Sequence, residues 1–220
     1  MGSNVPLIEL RGVCFRYPGG SLIHDELDFV LQTGGRVGVM GQNGAGKTSL
    51  FHLIVGLLQP DSGEIRVLGR PRCQERDFWE VRQKIGLLFQ DPDDQLFCPT
   101  VGEDVAFGPL NLGRSRQQVM QIVQRTLEAL DLAHLQDRVT HHLSGGEKRL
   151  VSLATVLAME PDALLLDEPT AGLAEGMVER LIGILNEHVQ TCAIISHNRH
   201  FLERCTDVMV QLHGGKVVPF

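Results

Sequence analysis

The sequence predicts an α/β fold with a mostly parallel central sheet, an antiparallel β portion at the N-terminus and an α-helical subdomain inserted into the core. Three observations predict it. The short apolar runs Ala163-Leu164-Leu165-Leu166 and Cys192-Ala193-Ile194-Ile195 read as parallel strands buried on both faces. The run Arg36-Val37-Gly38-Val39-Met40 passes through a glycine-rich turn directly into the helical stretch Ser49-Leu50-Phe51-His52-Leu53-Ile54-Val55. Helical periodicity dominates from about residue 100 to 159, with strands on both sides. A chain of 220 residues holds one good core, or one core and a small satellite. We therefore read one domain over 1–220, with an α/β core in 1–90 and 160–220 and the helical subdomain in about 91–159.

The remaining elements follow in order. Leu7-Ile8-Glu9-Leu10 through Tyr17 carries alternating and β-branched residues, and Pro18-Gly19-Gly20 ends it. Leu27-Asp28-Phe29-Val30-Leu31 alternates as a strand does. Gln59-Pro60-Asp61-Ser62-Gly63 is a turn, and Glu64-Ile65-Arg66-Val67-Leu68 a short strand. Residues 77–83 predict a short helix carrying Trp79, and Ile85-Gly86-Leu87-Leu88-Phe89 a buried strand ending at Gln90. The segment from Asp91-Pro92 to Pro99 predicts a loop and hinge, because proline restricts itself and its predecessor. Thr100 with Glu103 and Ser144 with Glu147 have capping-box spacing, and apolar residues from Val119 to Leu130 recur as on one helical face. Residues 175–189 predict a further helix, and His213-Gly214-Gly215 a closing hairpin.

Composition narrows the function. Hydrophobic residues at 43% and charged residues at 21% exclude disordered and collagen-like chains. A net charge of -7 without any lysine or arginine cluster argues against a nucleic-acid partner. Five cysteines without C-x-x-C spacing suggest neither a disulfide framework nor a zinc site, and so a reducing compartment. The start lacks the apolar core of a signal peptide, and Pro6 stands where a myristoylation site needs Ser or Thr. No apolar stretch approaches the ~20 residues that cross a bilayer, so a membrane role is expected only through a partner.

Gly41-Gln42-Asn43-Gly44-Ala45-Gly46-Lys47-Thr48 fits the pattern G-x-x-x-x-G-K-[ST] between strand and helix, the context this phosphate-binding loop requires. Its glycines let successive N–H groups face inward, reinforced by the positive end of the following helix. Lys47 is placed to reach the β/γ-phosphates and Thr48 to ligate magnesium. Asp167, at the end of an apolar strand, is placed to hold the same ion through water, and Glu168 to polarise an attacking water. Two solvated acids at a strand end are the plain alternative. His197 follows another buried strand at the same sheet edge, within reach of a γ-phosphate. Gly145 and Gly146 each cost about 1 kcal/mol in a first helical turn, which capping alone does not ask for. They admit an anion to the bare backbone. Tyr17, the only tyrosine, could stack on a purine base or simply pack; its spacing leaves both open.

The phosphate loop, Gln90, Leu143-Ser144-Gly145-Gly146-Glu147, Leu164-Leu165-Leu166-Asp167-Glu168 and His197 together resemble the nucleotide-binding subunit of ATP-binding-cassette (ABC) transporters, phosphate-loop NTPases, over nearly the whole chain. Phe89-Gln90-Asp91-Pro92-Asp93-Asp94-Gln95-Leu96-Phe97 and Glu103-Asp104-Val105-Ala106-Phe107-Gly108-Pro109 look like the energy-coupling-factor group, nearest its cobalt/nickel and biotin-type ATPases. The resemblance implies ATP and Mg²⁺ as ligands. It implies adenine stacking for Tyr17, a phosphate cradle at Gly41, Gln42, Asn43, Gly44, Ala45, Gly46, Lys47, Thr48 and Ser49, and magnesium and water sensing for Gln90. It further implies a general base in Glu168, a switch histidine in His197, and a signature in Ser144, Gly145, Gly146 and Glu147 that closes over nucleotide held by a second ATPase subunit. It also implies integral membrane transport subunits as partners, a peripheral place on the cytoplasmic face of the membrane, and a solute chosen by other subunits. Asp91, Asp93 and Asp94 would then face a basic helix of the partner, or form a solvated turn. Two departures stand out. After Pro169-Thr170-Ala171-Gly172-Leu173 the pattern expects aspartate and the chain has Ala174, which puts turnover in doubt; and a C-terminal extension that helps many such subunits dimerise is not expected after the last strand.

Overall fold

The computed structural model describes residues 5–220. The start at residues 1–4, part of the stretch read above for a leader sequence, lies outside the described residues. β1 (Ile8–Arg16) and β2 (Leu22–Leu31) pair antiparallel across the Pro18-Gly19-Gly20 turn. β3 (Arg36–Gly41) then feeds the phosphate loop and α1 (Lys47–Ile54). β4 (Ser62–Val67) and β5 (Arg70–Pro71) return to the first sheet, which has the order β2-β1-β4-β5 and is antiparallel throughout. α2 (Phe78–Lys84) leads to β6 (Ile85–Leu88), and α3 (Val101–Asn111), α4 (Arg116–Ala129) and α5 (Gly145–Leu157) follow. β7 (Ala163–Asp167), α6 (Glu175–His188), β8 (Cys192–Ile195), α7 (Arg199–Cys205) and the hairpin β9 (Val208–His213) and β10 (Lys216–Pro219) complete the chain.

The central sheet has the order β10-β9-β3-β8-β7-β6, and only the β9–β10 edge pair is antiparallel. β7 and β8 are buried at every position because both faces are covered. Alternation divides their side chains between two cores. Leu165, Ala193 and Ile195 pack with Phe51, Ile54 and the first sheet, while Leu164, Leu166 and Ile194 pack with Leu150, Leu153, Leu181 and Phe201 of the helical side.

Local chemistry sets most of the boundaries. Thr100 with Glu103, Ser115 with Gln118 and Ser144 with Glu147 form reciprocal capping boxes at the starts of α3, α4 and α5. α6 is the exception: Ala174 is its N-cap and offers no side-chain acceptor. The predicted loop after Gln90 contains one 3₁₀ turn, Pro92–Asp94, capped by Asp91. α7, too short to show periodicity, was not foreseen, although Asn198 caps it as such residues do. In β2 the alternation breaks at Glu26 (φ +49°): Val13 lies opposite Leu27 but Phe15 lies opposite His24. This bulge turns His24, rather than Asp25, into the core.

Candidate functional site

The carboxyl ends of β3, β7 and β8 converge on one cleft of about 650 Å³. Gly46 (φ +93°) is the N-cap of α1, and a Cβ there would lie 2.5 Å from Ile23 Cγ2 and 2.8 Å from His24 Cε1. Only glycine lets the loop lie this close to β2. Lys47, 8% exposed, donates from Nζ to the carbonyls of Gly41 (2.9 Å) and Gln42 (3.0 Å). The Ala45 amide donates to the Gln42 carbonyl (3.2 Å), and Asn43 and Gly44 line the cleft. Thr48 Oγ1 donates to Asp167 Oδ2 at 2.6 Å, and Gln90 lines the cleft beside them. Tyr17 and Ser49 share a hydroxyl hydrogen bond of 2.9 Å, with the tyrosine ring edge-on to Phe15 and 43% exposed.

Glu168 sits just past β7 with φ +46°. Its Oε2 accepts from the His197 amide at 3.3 Å. Its Oε1 is buried and accepts no hydrogen bond, with His197 Nε2 3.3 Å away as the cation that would pair with it once protonated. That nitrogen is also 3.4 Å from Lys47 Nζ. Burial pushes the Glu168 carboxyl above its ordinary range, opposed by the His197 amide and ring and by Lys47, and aided by the charge of Asp167. Burial raises Asp167 too, against the Thr48 hydrogen bond. An unpartnered, partly desolvated carboxylate oxygen is a suitable base for a water proton. Among the described residues no three His, Cys, Asp or Glu side chains are grouped to hold a metal. Thr48, Gln90 and Asp167 nevertheless suit a hard cation that takes its other oxygens from phosphate and water.

The structure does not bring Ser144, Gly145, Gly146 or Glu147 into this cleft. They form the N-terminus of α5, with Ser144 and Gly145 exposed and nothing within 4 Å of a Cβ built on Gly145. Glu147 is engaged locally: the Ser144 hydroxyl and then the Ser144 amide, which donates to its Oε2 at 2.7 Å, hold the carboxyl below its ordinary range. Of the acidic run, Asp93 is paired with Lys148 Nζ at 2.6 Å and Asp91 caps its own turn, while all three aspartates stay exposed.

Three neighbours of the site were missed by sequence reasoning. His52 lines a second cavity of about 510 Å³ that shares Thr48, Gln90 and Asp167 with the first. It stands four residues after Thr48, a spacing that puts both on one helical face and could have signalled it. Arg149, 4% exposed, lines the same second cavity, and a basic residue beside Lys148 in a helix gives no such signal. His24, fully buried, has neither ring nitrogen in a hydrogen bond of good geometry, and burial lowers its pKa to about 4 against the opposing effect of the Gly46 backbone.

The class these groups define is a phosphate-loop ATPase, since a lysine held in a glycine loop and a spare carboxylate oxygen face the same cleft at the ends of parallel strands. A family model described as ABC transporter matches residues 24–171. The chain is 52% identical over 214 residues, 97% of this chain and 89% of the other, to an ABC transporter ATP-binding protein of Brucella suis. It is 39% identical over 216 residues, 96% of this chain and 77% of the other, to the energy-coupling factor transporter ATP-binding protein EcfA of Methanocaldococcus jannaschii. The structure of CbiO1 from Clostridium perfringens, described as part of the ABC transporter complex CbiONQ, superposes with a TM-score of 0.87 at 32% identity, over 97% of this chain and 87% of that one. The chain therefore belongs to the ABC transporter family, as an ATP-binding subunit of the energy-coupling-factor type.

Proposed function

We propose that this ATPase energises uptake of cobalt or nickel ions, paired with a second copy or a related ATPase and bound peripherally, on the cytoplasmic face, to integral membrane subunits. The observation that carries the catalytic part is the buried, unpartnered Oε1 of Glu168 beside Lys47 and His197. In this reading Glu168 takes a proton from the attacking water, Lys47 exchanges its two loop carbonyls for phosphate oxygens, and His197 holds the γ-phosphate. Tyr17 stacks on adenine, its hydroxyl fixed by Ser49. Thr48, Gln90 and Asp167 would hold magnesium, which supplies charge neutralisation at the phosphates when bound. The exposed Ser144-Gly145-Gly146 turn, outside its own cleft, fits a role on nucleotide held by the other subunit, so that ATP joins the pair head to tail and hydrolysis releases it.

Among the described residues no helix is long and apolar enough to cross a membrane, which is why the membrane part is assigned to partners. A groove of about 270 Å³ lined by Leu57, Phe97, Phe107 and Met159 supports their docking, with Phe97 62% exposed and packed edge-on against Phe107 at 4.7 Å. The cobalt or nickel assignment rests on the sequence resemblance, and identifying the membrane proteins that co-purify with the chain tests it. A second reading has its own support: Ala174 leaves α6 without a cap or a carboxylate where the family pattern has aspartate, as suits a nucleotide-gated module of low turnover. Phosphate release with and without the membrane partner separates the two. For the catalytic assignment, Glu168→Gln should still bind ATP and dimerise more stably while losing hydrolysis; unchanged turnover removes Glu168 from its role.

A further inference from the structure

Arg149 is a buried cation without a task in the function just proposed. Its partners are carbonyl oxygens: Nη1 donates to Phe89 at 2.8 Å and Nη2 to Gln90 at 2.5 Å, while Nε is buried with no partner at all. Burying a guanidinium on neutral carbonyls is costly compared with an apolar side chain of similar size. The two carbonyls it holds lie on the peptide planes either side of Gln90. Fixing both planes fixes the direction in which the Gln90 side chain enters the cleft beside Thr48 and Asp167. Arg149 also belongs to α5, little more than one turn from the Ser144 cap. A second clasp runs the same way: Gln95 Oε1 accepts from the Phe89 amide (3.1 Å), and its Nε2 donates to the Ser152 carbonyl and Thr155 hydroxyl (2.9 and 2.8 Å).

We propose that Arg149 is the positioning residue for Gln90, tying the backbone of that glutamine to the helix that carries the Ser144-Gly145-Gly146 turn. This rests on the role given above to Gln90. The test is a double-mutant cycle on the full chain, in which Gln90→Ala, Arg149→Met and the double variant are assayed for kcat, for the Mg²⁺ concentration at half-maximal turnover and for ATP affinity. Met keeps an apolar stem of similar reach and removes every donor. Arg149→Met is expected to lower kcat about 10–100-fold, the usual cost of losing a group that orients a metal ligand. ATP affinity should stay within about twofold, since uniform binding is not what Arg149 supplies. Because it acts through Gln90, it should add nothing to Gln90→Ala in the double variant. A double loss equal to the product of the two single losses overturns the proposal alone, and so does normal turnover in Arg149→Met. Normal turnover in Gln90→Ala is a different result, which overturns the role of Gln90 and this proposal together. Should Arg149→Met fail to fold, as judged by thermal melting, Arg149→Lys carries the cycle. Lysine keeps the charge but lacks the planar fork of separate donors that meets the Phe89 and Gln90 carbonyls here, and the same non-additivity is required of it.

Discussion

Replacing His24 by leucine should make the protein less sensitive to acid. His24 is fully buried on β2 beneath Gly46, and neither nitrogen makes a hydrogen bond of good geometry, the Gly46 backbone being the one polar group that opposes the effect of burial. Burial lowers its pKa from 6.5 to about 4. Between those values the unfolded chain carries a proton on this ring that the folded chain refuses, so folding loses stability as pH falls from 6.5 and regains none below 4. At about 1.4 kcal/mol per pH unit the full loss is roughly 3 kcal/mol, of which about 2 kcal/mol is felt at pH 5 relative to pH 7.5. Leucine has no proton to refuse and leaves no orphaned nitrogen, a further gain of about 1–3 kcal/mol at every pH. Urea unfolding of both proteins at pH 7.5, 6 and 5 measures this. The advantage of His24→Leu should widen by about 2 kcal/mol across that range. An advantage independent of pH would mean that the imidazole titrates normally in the fold, and that the buried, unpartnered ring is not what the structure describes.

Three further outcomes follow from the site. Ala174→Asp gives α6 the acceptor it lacks and should raise the urea midpoint by the equivalent of about 1 kcal/mol. Gly46→Ala forces a Cβ into Ile23 and His24 at φ +93° and should cost more than about 2 kcal/mol, with loss of ATP binding, measured by melting and by nucleotide titration. Tyr17→Ala should weaken ATP binding by about 1–3 kcal/mol while Tyr17→Phe, which loses only the contact to Ser49, stays near the parent protein.

The parallel strands were legible because strands covered on both faces leave unbroken apolar runs, and the helix starts because capping boxes are written as residue pairs three apart. The cleft was legible for a related reason. Asp167, Glu168 and His197 stand at or just beyond the end of a recognisable strand, and Lys47 and Thr48 open the helix that follows the loop after another, so sheet order and the loop motif gather them. His24 was not, because counting alternate residues back from Leu27 points Asp25 inward, and only the bulge at Glu26 reverses it. Arg149 was not, because its partners are backbone carbonyls some sixty residues earlier, which leave no trace in residue identity. The Ser144 turn shows the opposite case: its residues were found, but they lie outside the cleft, with open space beside Gly145 and only Met177 and Leu173 beside Gly146.

Lys47 is stowed rather than mobile. With its amine already shared between the Gly41 and Gln42 carbonyls, most of the roughly 2 kcal/mol of rotamer freedom that a free lysine would surrender to an incoming anion is gone beforehand. The same two carbonyls compete with the newcomer, so an anion must offer the amine more than they do to displace them. A chain of phosphates, which can meet the amine and the loop amides with several charged oxygens at once, is better placed to win that competition than a lone phosphate, so the internal contacts of Lys47 favour polyphosphates.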